Sequence, residues 1–258
     1  MTGYLARAYP EVFPQIHALD LQHNWLLMRD SGVSLRSFIK AEGRIDHWQG
    51  VLPLYVGLQK NLSDKQQILL QLGVPDRRLS QLPGLFDELL TDEPAMLLGN
   101  AEGLNQEEFQ RLKLEGREFG DLCALLAEIG IPESLQHYDF HDANIFLQNG
   151  RIIFTDWGEC AVAHPFFSSV VMLRSVENSL DLCADAEEIE TLRGWYLDLW
   201  GEYGTTTELR AVASLAERIG YINRALTWHM LISQLPKEIK PEYARAVPAY
   251  LKEYLNAG

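Results

Sequence analysis

Between residues 137 and 158 the chain reads HYDFHDANIFLQNGRIIFTDWG, a stretch dense in groups that bind cations or move protons. Two β-rich runs, 145–148 and 151–154, flank Asn149-Gly150, the strongest two-residue hairpin signal. A two-residue turn makes Gln148 face Arg151, so Leu147 faces Ile152, Phe146 faces Ile153, Ile145 faces Phe154 and Asn144 faces Thr155. Asp156 then stands one step beyond the partner of Asn144. Strands lie about 4.8 Å apart, so the Asn144 amide oxygen and the Asp156 carboxylate can converge on one small cation. Hard oxygen ligands of this kind suit Mg²⁺, which takes one or two protein groups plus water and substrate phosphates. Asp139, five residues before Asn144, lies in a segment too polar for a core strand and is free to accept a proton. One proton acceptor beside two metal ligands is what phosphoryl transfer to a hydroxyl requires, because its barrier falls through positioning and charge neutralisation.

Mostly helices must position these groups. The run 24–28, NWLLM, reads as a buried strand that stops at Arg29-Asp30 and Ser31-Gly32. Ser34 can cap a helix reaching Lys40, Asp46 another to about Leu58, and Asp64 a third to Leu72, ended by Gly73-Val74-Pro75. A short helix is expected over 83–90. The longest signal runs over 105–129, with Phe109, Leu112, Phe119, Leu122, Leu126 and Ile129 on one face. Helices are again expected over 165–178, 186–200, 208–234 and 241–255. Only the central stretch is persuasively β, so the expected class is α+β, mainly helical, around a catalytic hairpin.

His137-x-Asp139-x-x-x-x-Asn144, followed by Asp156-Trp157-Gly158, resembles the catalytic loop and metal-binding triplet of the protein-kinase-like superfamily. The finer pattern HYDFHDAN, with its second histidine at 141, is similar to the aminoglycoside phosphotransferase and choline kinase-like small-molecule kinases. Tyr138 stands where that family usually has glycine, and Gly158 where an acidic residue is common. HPFFS, 164–168, also resembles the family's lead into its next helix. The resemblance implies a kinase-like large lobe using ATP and Mg²⁺, with Asp139 as catalytic base and Asn144 and Asp156 as metal ligands. It also implies that 24–32 ends the small lobe and forms the hinge, with the backbones of Arg29 and Ser31 contacting adenine. Residues 1–32 are then a remnant of the small lobe and 33–258 the helical large lobe.

In the family a glycine-rich strand pair, a lysine-bearing strand and a helix with a partner glutamate precede the hinge. Only 23 residues precede Asn24 here, no Gly-x-Gly occurs in the chain, and Lys40, the first lysine, lies past the hinge. Residues 1–258 alone are therefore expected to bind nucleotide poorly. The underside of NWLLM, normally covered by sheet, is expected to promote self-association. The acceptor stays open among an aminoglycoside, choline, another amino alcohol and a sugar. Two other readings compete: a non-catalytic kinase-like binding module, and a metal-dependent phosphohydrolase that needs no hinge. His137 and His141 as zinc ligands lack a suitably spaced third histidine, and buried struts are the expected role.

Composition sets the outer limits. Lys plus Arg number 22 against 36 Asp plus Glu, a net charge of −14, which argues against nucleic-acid binding and is compatible with a cationic acceptor. Cys123, Cys160 and Cys183 form no CxxC pair, so reduced thiols and a cytoplasmic location are expected. No run reaches the ~18 apolar residues of a membrane span, and the N-terminus lacks a signal-peptide layout. Acidic residues at 181, 185, 187, 188 and 190 read as a solvated helix start. Trp195, Trp200 and Trp228 read as core.

Overall fold

A computed structural model describes residues 1–23 and 25–257. Asn24, the first residue of the expected NWLLM strand, lies outside the described residues. The chain opens with helix α1 (Thr2–Ala8) and an antiparallel pair, β1 (Ile16–Asp20) and β2 (Trp25–Met28). A second sheet holds the short β3 (Val33–Ser34), and helices α2 (Leu35–Glu42), α3 (Trp48–Leu62), α4 (Gln66–Gln71), α5 (Leu82–Leu89) and α6 (Gln106–Glu128) follow. Next come β4 (Ser134–Gln136), the hairpin β5 (Ile145–Gln148) and β6 (Arg151–Phe154), and β7 (Ala161–Ala163). Helices α7 (Phe167–Leu180), α8 (Glu187–Asp198), α9 (Thr206–Gln234), α10 (Lys240–Tyr243) and α11 (Ala246–Asn256) complete the described chain.

Local chemistry explains where the long helices start. Asn105 accepts from the Glu108 N–H while the Glu108 carboxylate accepts from the Asn105 N–H, a reciprocal cap on α6. Thr205 and Glu208 repeat the device on α9. Helix α9 is the axle of the helical body: α5, α6, α7, α8 and α11 all pack against it. Its buried Leu209, Ile219, Ile222 and Leu226 recur at helical spacing and form an apolar stripe.

Four expectations need correction. First, β structure extends beyond the central stretch, because β1–β2, β3–β5–β6 and β4–β7 form three small antiparallel sheets. Second, the elements begin before residue 24, with helix α1 at Thr2–Ala8. Third, the strand over 25–28 is not buried: Trp25 is 69% exposed and Leu27 62%. It pairs with β1 alone, and no described element covers its outer face. Fourth, the last helix is split into α10 and α11. Pro248 has no N–H for the Ala244 carbonyl four residues back, and the break falls at that residue.

Aromatic packing fastens the segment 137–144 to the helical body. Phe140 stacks on Tyr55 of α3 at 3.7 Å between ring centroids and meets Trp48 and Phe154 edge-on. All four rings are fully buried, each stabilising the fold by roughly 1.5–3 kcal/mol on area grounds.

Candidate active site

The hairpin adopts the register counted from its turn: Gln148 pairs with Arg151, Leu147 with Ile152, Phe146 with Ile153 and Ile145 with Phe154. The ladder runs one step further, since the Thr155 N–H and hydroxyl donate to the Asn144 carbonyl at 2.9 and 3.1 Å. Asp156 follows at once in a left-handed conformation, φ 56°, ψ 59°, which aspartate tolerates better than most residues. Its carboxylate is exposed and makes no ion pair among the described residues. Trp157 holds this corner in place. Its Nε1–H donates to the Phe154 carbonyl at 3.2 Å, and its ring packs on His137 and Phe13.

His137 is a buried strut. The Asp139 N–H donates to its Nδ1 at 3.1 Å, so Nε2 carries the proton and donates to the Thr155 carbonyl at 2.8 Å. Burial lowers its pKa and keeps the ring neutral. With both nitrogens used on backbone, His137 ties the Asp139 turn to the end of β6. His164 is also fully buried, its pKa pushed down to about 3 by burial, and it accepts from the Phe166 N–H at the start of α7.

Asp139 is half-buried, and the Asn144 side chain turns toward it. Nδ2 of Asn144 donates to the Asp139 carbonyl at 3.0 Å and to its Oδ2 at 3.3 Å. That orientation leaves the amide oxygen of Asn144 as a free acceptor. His141 Nε2 lies 3.1 Å from Asp139 Oδ2. Burial alone would raise the Asp139 pKa, but hydrogen bonding and charge from His141, with help from Arg224, bring it below the ordinary value. Burial likewise opposes charge on His141, yet its pKa rises because Asp139 stabilises the cation. Glu159 sits close by with a raised pKa. Burial is the main cause, and the charges on Asp139 and Asp156 add to it. The three carboxylates thus share one electrostatic neighbourhood.

In the segment expected to form a hinge, the Arg29 N–H donates to the Gln15 carbonyl at 2.8 Å, and Gln148 Nε2 donates to the Asp30 carbonyl at 2.7 Å. Among the described residues no group bonds to the Arg29 carbonyl or the Ser31 N–H, the two backbone groups expected to face adenine. Gly32 has φ +96° and runs so close to β5 that a Cβ there would lie 2.5 Å from the Leu147 oxygen.

Several site residues were not legible in the sequence. Asp142 is fully buried and accepts from Arg36 Nε at 2.7 Å and Ser179 Oγ at 2.6 Å, which pins the 139–144 turn between α2 and α7. Tyr138, in place of glycine, buries its ring and donates to Asn223 Oδ1 at 2.7 Å. Arg224, one residue on, donates to the Tyr138 carbonyl. These partners come from 85 and 86 positions away, and no local pattern announces them.

The Asn144 amide oxygen and the Asp156 carboxylate are hard donors with no competing partner among the described residues, and they fit a small divalent cation. No cluster of three His, Cys, Asp or Glu with metal-ligand geometry occurs among the described residues. No described helix is long and apolar enough to cross a membrane.

Comparison with solved structures shows a protein-kinase-like fold. An ethanolamine kinase from Plasmodium vivax superposes with TM-score 0.60 at 16% identity, covering 99% of this chain and 72% of that one. A choline/ethanolamine kinase family protein from Mesorhizobium loti gives 0.60 at 15% identity, covering 98% and 76%. An aminoglycoside 2′-phosphotransferase-IIIa, in its GDP complex, gives 0.54 at 14% identity, covering 99% and 80%. No curated protein sequence matches the chain significantly. The profile of the phosphotransferase enzyme family (APH) matches residues 14–211, well over half of the chain, and the protein belongs to that family.

Proposed function

We propose that this protein is an ATP-dependent kinase that phosphorylates a hydroxyl group of a small molecule. The observation that carries the reading is the Asn144 side chain, which donates to Asp139 while its oxygen stays free beside the end of a ladder that continues into Asp156. Asp139 would accept the acceptor hydroxyl proton, and its depressed pKa keeps it ionised at neutral pH. Asn144 and Asp156 would hold Mg²⁺, which when bound neutralises the developing phosphate charge. The Arg29 carbonyl and Ser31 N–H would meet the adenine edge, with residues 1–32 belonging to the small lobe and 33–258 to the large lobe. His137 fixes the Asp139 backbone, and the Asp142–Arg36 pair fixes the turn behind it. A cytoplasmic location, where ATP and reduced thiols coexist, accords with this chemistry.

The test is transfer of label from [γ-³²P]ATP to a panel of hydroxylated small molecules at saturating MgATP. The parent should label an acceptor, and Asp139→Asn should slow transfer by about 10²–10⁴-fold while leaving MgATP binding nearly intact. MgATP binding without transfer to any acceptor would favour the non-catalytic module instead.

A further inference from the structure

Beside Asp139 lies an open cavity of about 470 Å³, a size suited to a small ligand. It is bounded by Asp139 and His141 from the catalytic turn, Arg36 and Lys40 of α2, Arg174 of α7, Arg224 of α9 and Tyr250 of α11. Four permanent cations and a histidine therefore face one carboxylate, in a chain whose net charge is −14.

Counter-charges do exist, but they sit behind the wall or at its edge. Asp142 is fully buried and spent on Arg36 and Ser179, Glu253 lies 3.2 Å from Arg174, and Glu159 lies 4.0 Å from Arg224. Lys40 has no ion pair among the described residues. Arg224 is 5% exposed, and its Nε is a buried donor without a partner among the described groups. With these pairs counted, the cavity wall still carries more positive than negative charge, which an anion within the cavity would offset.

The same wall disfavours a cationic acceptor. A quaternary ammonium or an amine is held by aromatic faces and free carboxylates. The cavity's one aromatic, Tyr250, already has the Arg174 guanidinium 5.3 Å and the Arg224 guanidinium 5.5 Å from its ring centroid. Its one carboxylate, Asp139, is engaged by His141 and Asn144.

Building on the kinase reading above, we infer that the acceptor is a small polyhydroxylated anion, its carboxylate or phosphate held by Lys40, Arg174 and Arg224 and one hydroxyl directed at Asp139. The hydroxyl proton passes to Asp139 as the new O–P bond forms to the γ-phosphorus of ATP. The bond to the bridging oxygen breaks, and ADP leaves with its electron pair. The acidic balance of the whole chain, compatible with a cationic acceptor, is a property of the outer surface and not of this cavity.

The test is calorimetric binding by the full chain, without nucleotide, of a series sharing one sugar skeleton: glucose, glucosamine, gluconate and glucose 6-phosphate, with choline added. Omitting nucleotide separates this inference from the kinase reading, because acceptor binding needs neither ATP nor turnover. At least one anion should bind about tenfold or more tightly than glucose, glucosamine and choline, weakening as salt rises. Gluconate alone would identify carboxylate recognition, glucose 6-phosphate alone phosphate recognition, and both the shared chemistry. Lys40→Glu, at an exposed helix position that should not disturb folding, should remove about tenfold of that affinity. The inference is overturned when a neutral or cationic member binds as well as both anions, when Lys40→Glu changes nothing, or when no member binds.

Discussion

Replacing Gly32 by alanine should unseat the proposed hinge, residues 29–34, from the β5–β6 hairpin. The added Cβ would stand 2.5 Å from the Leu147 oxygen and 2.9 Å from Gln148 Cβ, and the backbone φ of +96° is one that side chains disfavour. Left-handed backbone costs a residue with a Cβ roughly 1–2 kcal/mol, and overpacking adds about 1–3 kcal/mol. The sum is about 2–5 kcal/mol, and at ~2–4 °C per kcal/mol for a chain of this size the melting temperature should fall by about 4–20 °C. Gly43 supplies the control. Its φ is +65°, yet nothing lies within 4 Å of a Cβ built there, so Gly43→Ala should carry only the backbone cost of about 1–2 kcal/mol. The hinge can relieve the clash by lifting away from β5. That movement breaks the Gln148–Asp30 bond and the Val33–Leu147 pairing, so amide exchange over 29–34 should accelerate in Gly32→Ala. Differential scanning calorimetry and exchange mass spectrometry on both variants separate the two contributions. Equal melting of the two variants, with parent-like exchange at the hinge, would refute the close approach.

Two further outcomes are expected. The lowered Asp139 contributes stability that is present above the ordinary carboxylate pKa and lost as pH falls through its folded value. The raised His141 contributes stability that is present below the ordinary imidazole pKa and lost as pH rises through its folded value. The pair thus stabilises most between those limits, and His141→Gln should flatten the pH dependence of urea unfolding at both ends; an unchanged profile would contradict the pairing. The exposed apolar face of β2 should drive concentration-dependent association that Leu27→Lys abolishes in sedimentation velocity, whereas a parent that stays monomeric throughout would dismiss that surface.

The parts of the site that could be read in advance are those governed by short-range chemistry. Asn149-Gly150 admits one turn geometry, so each pair from Gln148–Arg151 to Asn144–Thr155 follows by counting. Asn105 could be placed at the head of a long helix because its side chain suits a cap. Burial was not readable in the same way. Apolar composition marks 25–28 as a strand, but whether another layer covers Trp25 and Leu27 depends on tertiary partners. The split before α11 needed the consequence of Pro248 carried back four residues. Arg36, Arg174 and Arg224 look like ordinary charged positions in three separate helices, and only the packing of α2, α7 and α9 brings them to one cavity.

In the proposed mechanism Asn144 and Asp156 share a divalent ion carrying the nucleotide while Asp139 does not. Electron paramagnetic resonance of Mn²⁺ with ATP tests it directly, since Mn²⁺ favours the same hard oxygen ligands as Mg²⁺. At protein concentrations high enough to offset the weak nucleotide binding expected of residues 1–258, the parent and Asp139→Asn should deplete the free Mn·ATP signal to the same extent, whereas Asp156→Ala and Asn144→Ala should leave most of it free. Retention of Mn·ATP by Asp156→Ala at the parent's affinity would contradict the metal site and the mechanism built on it.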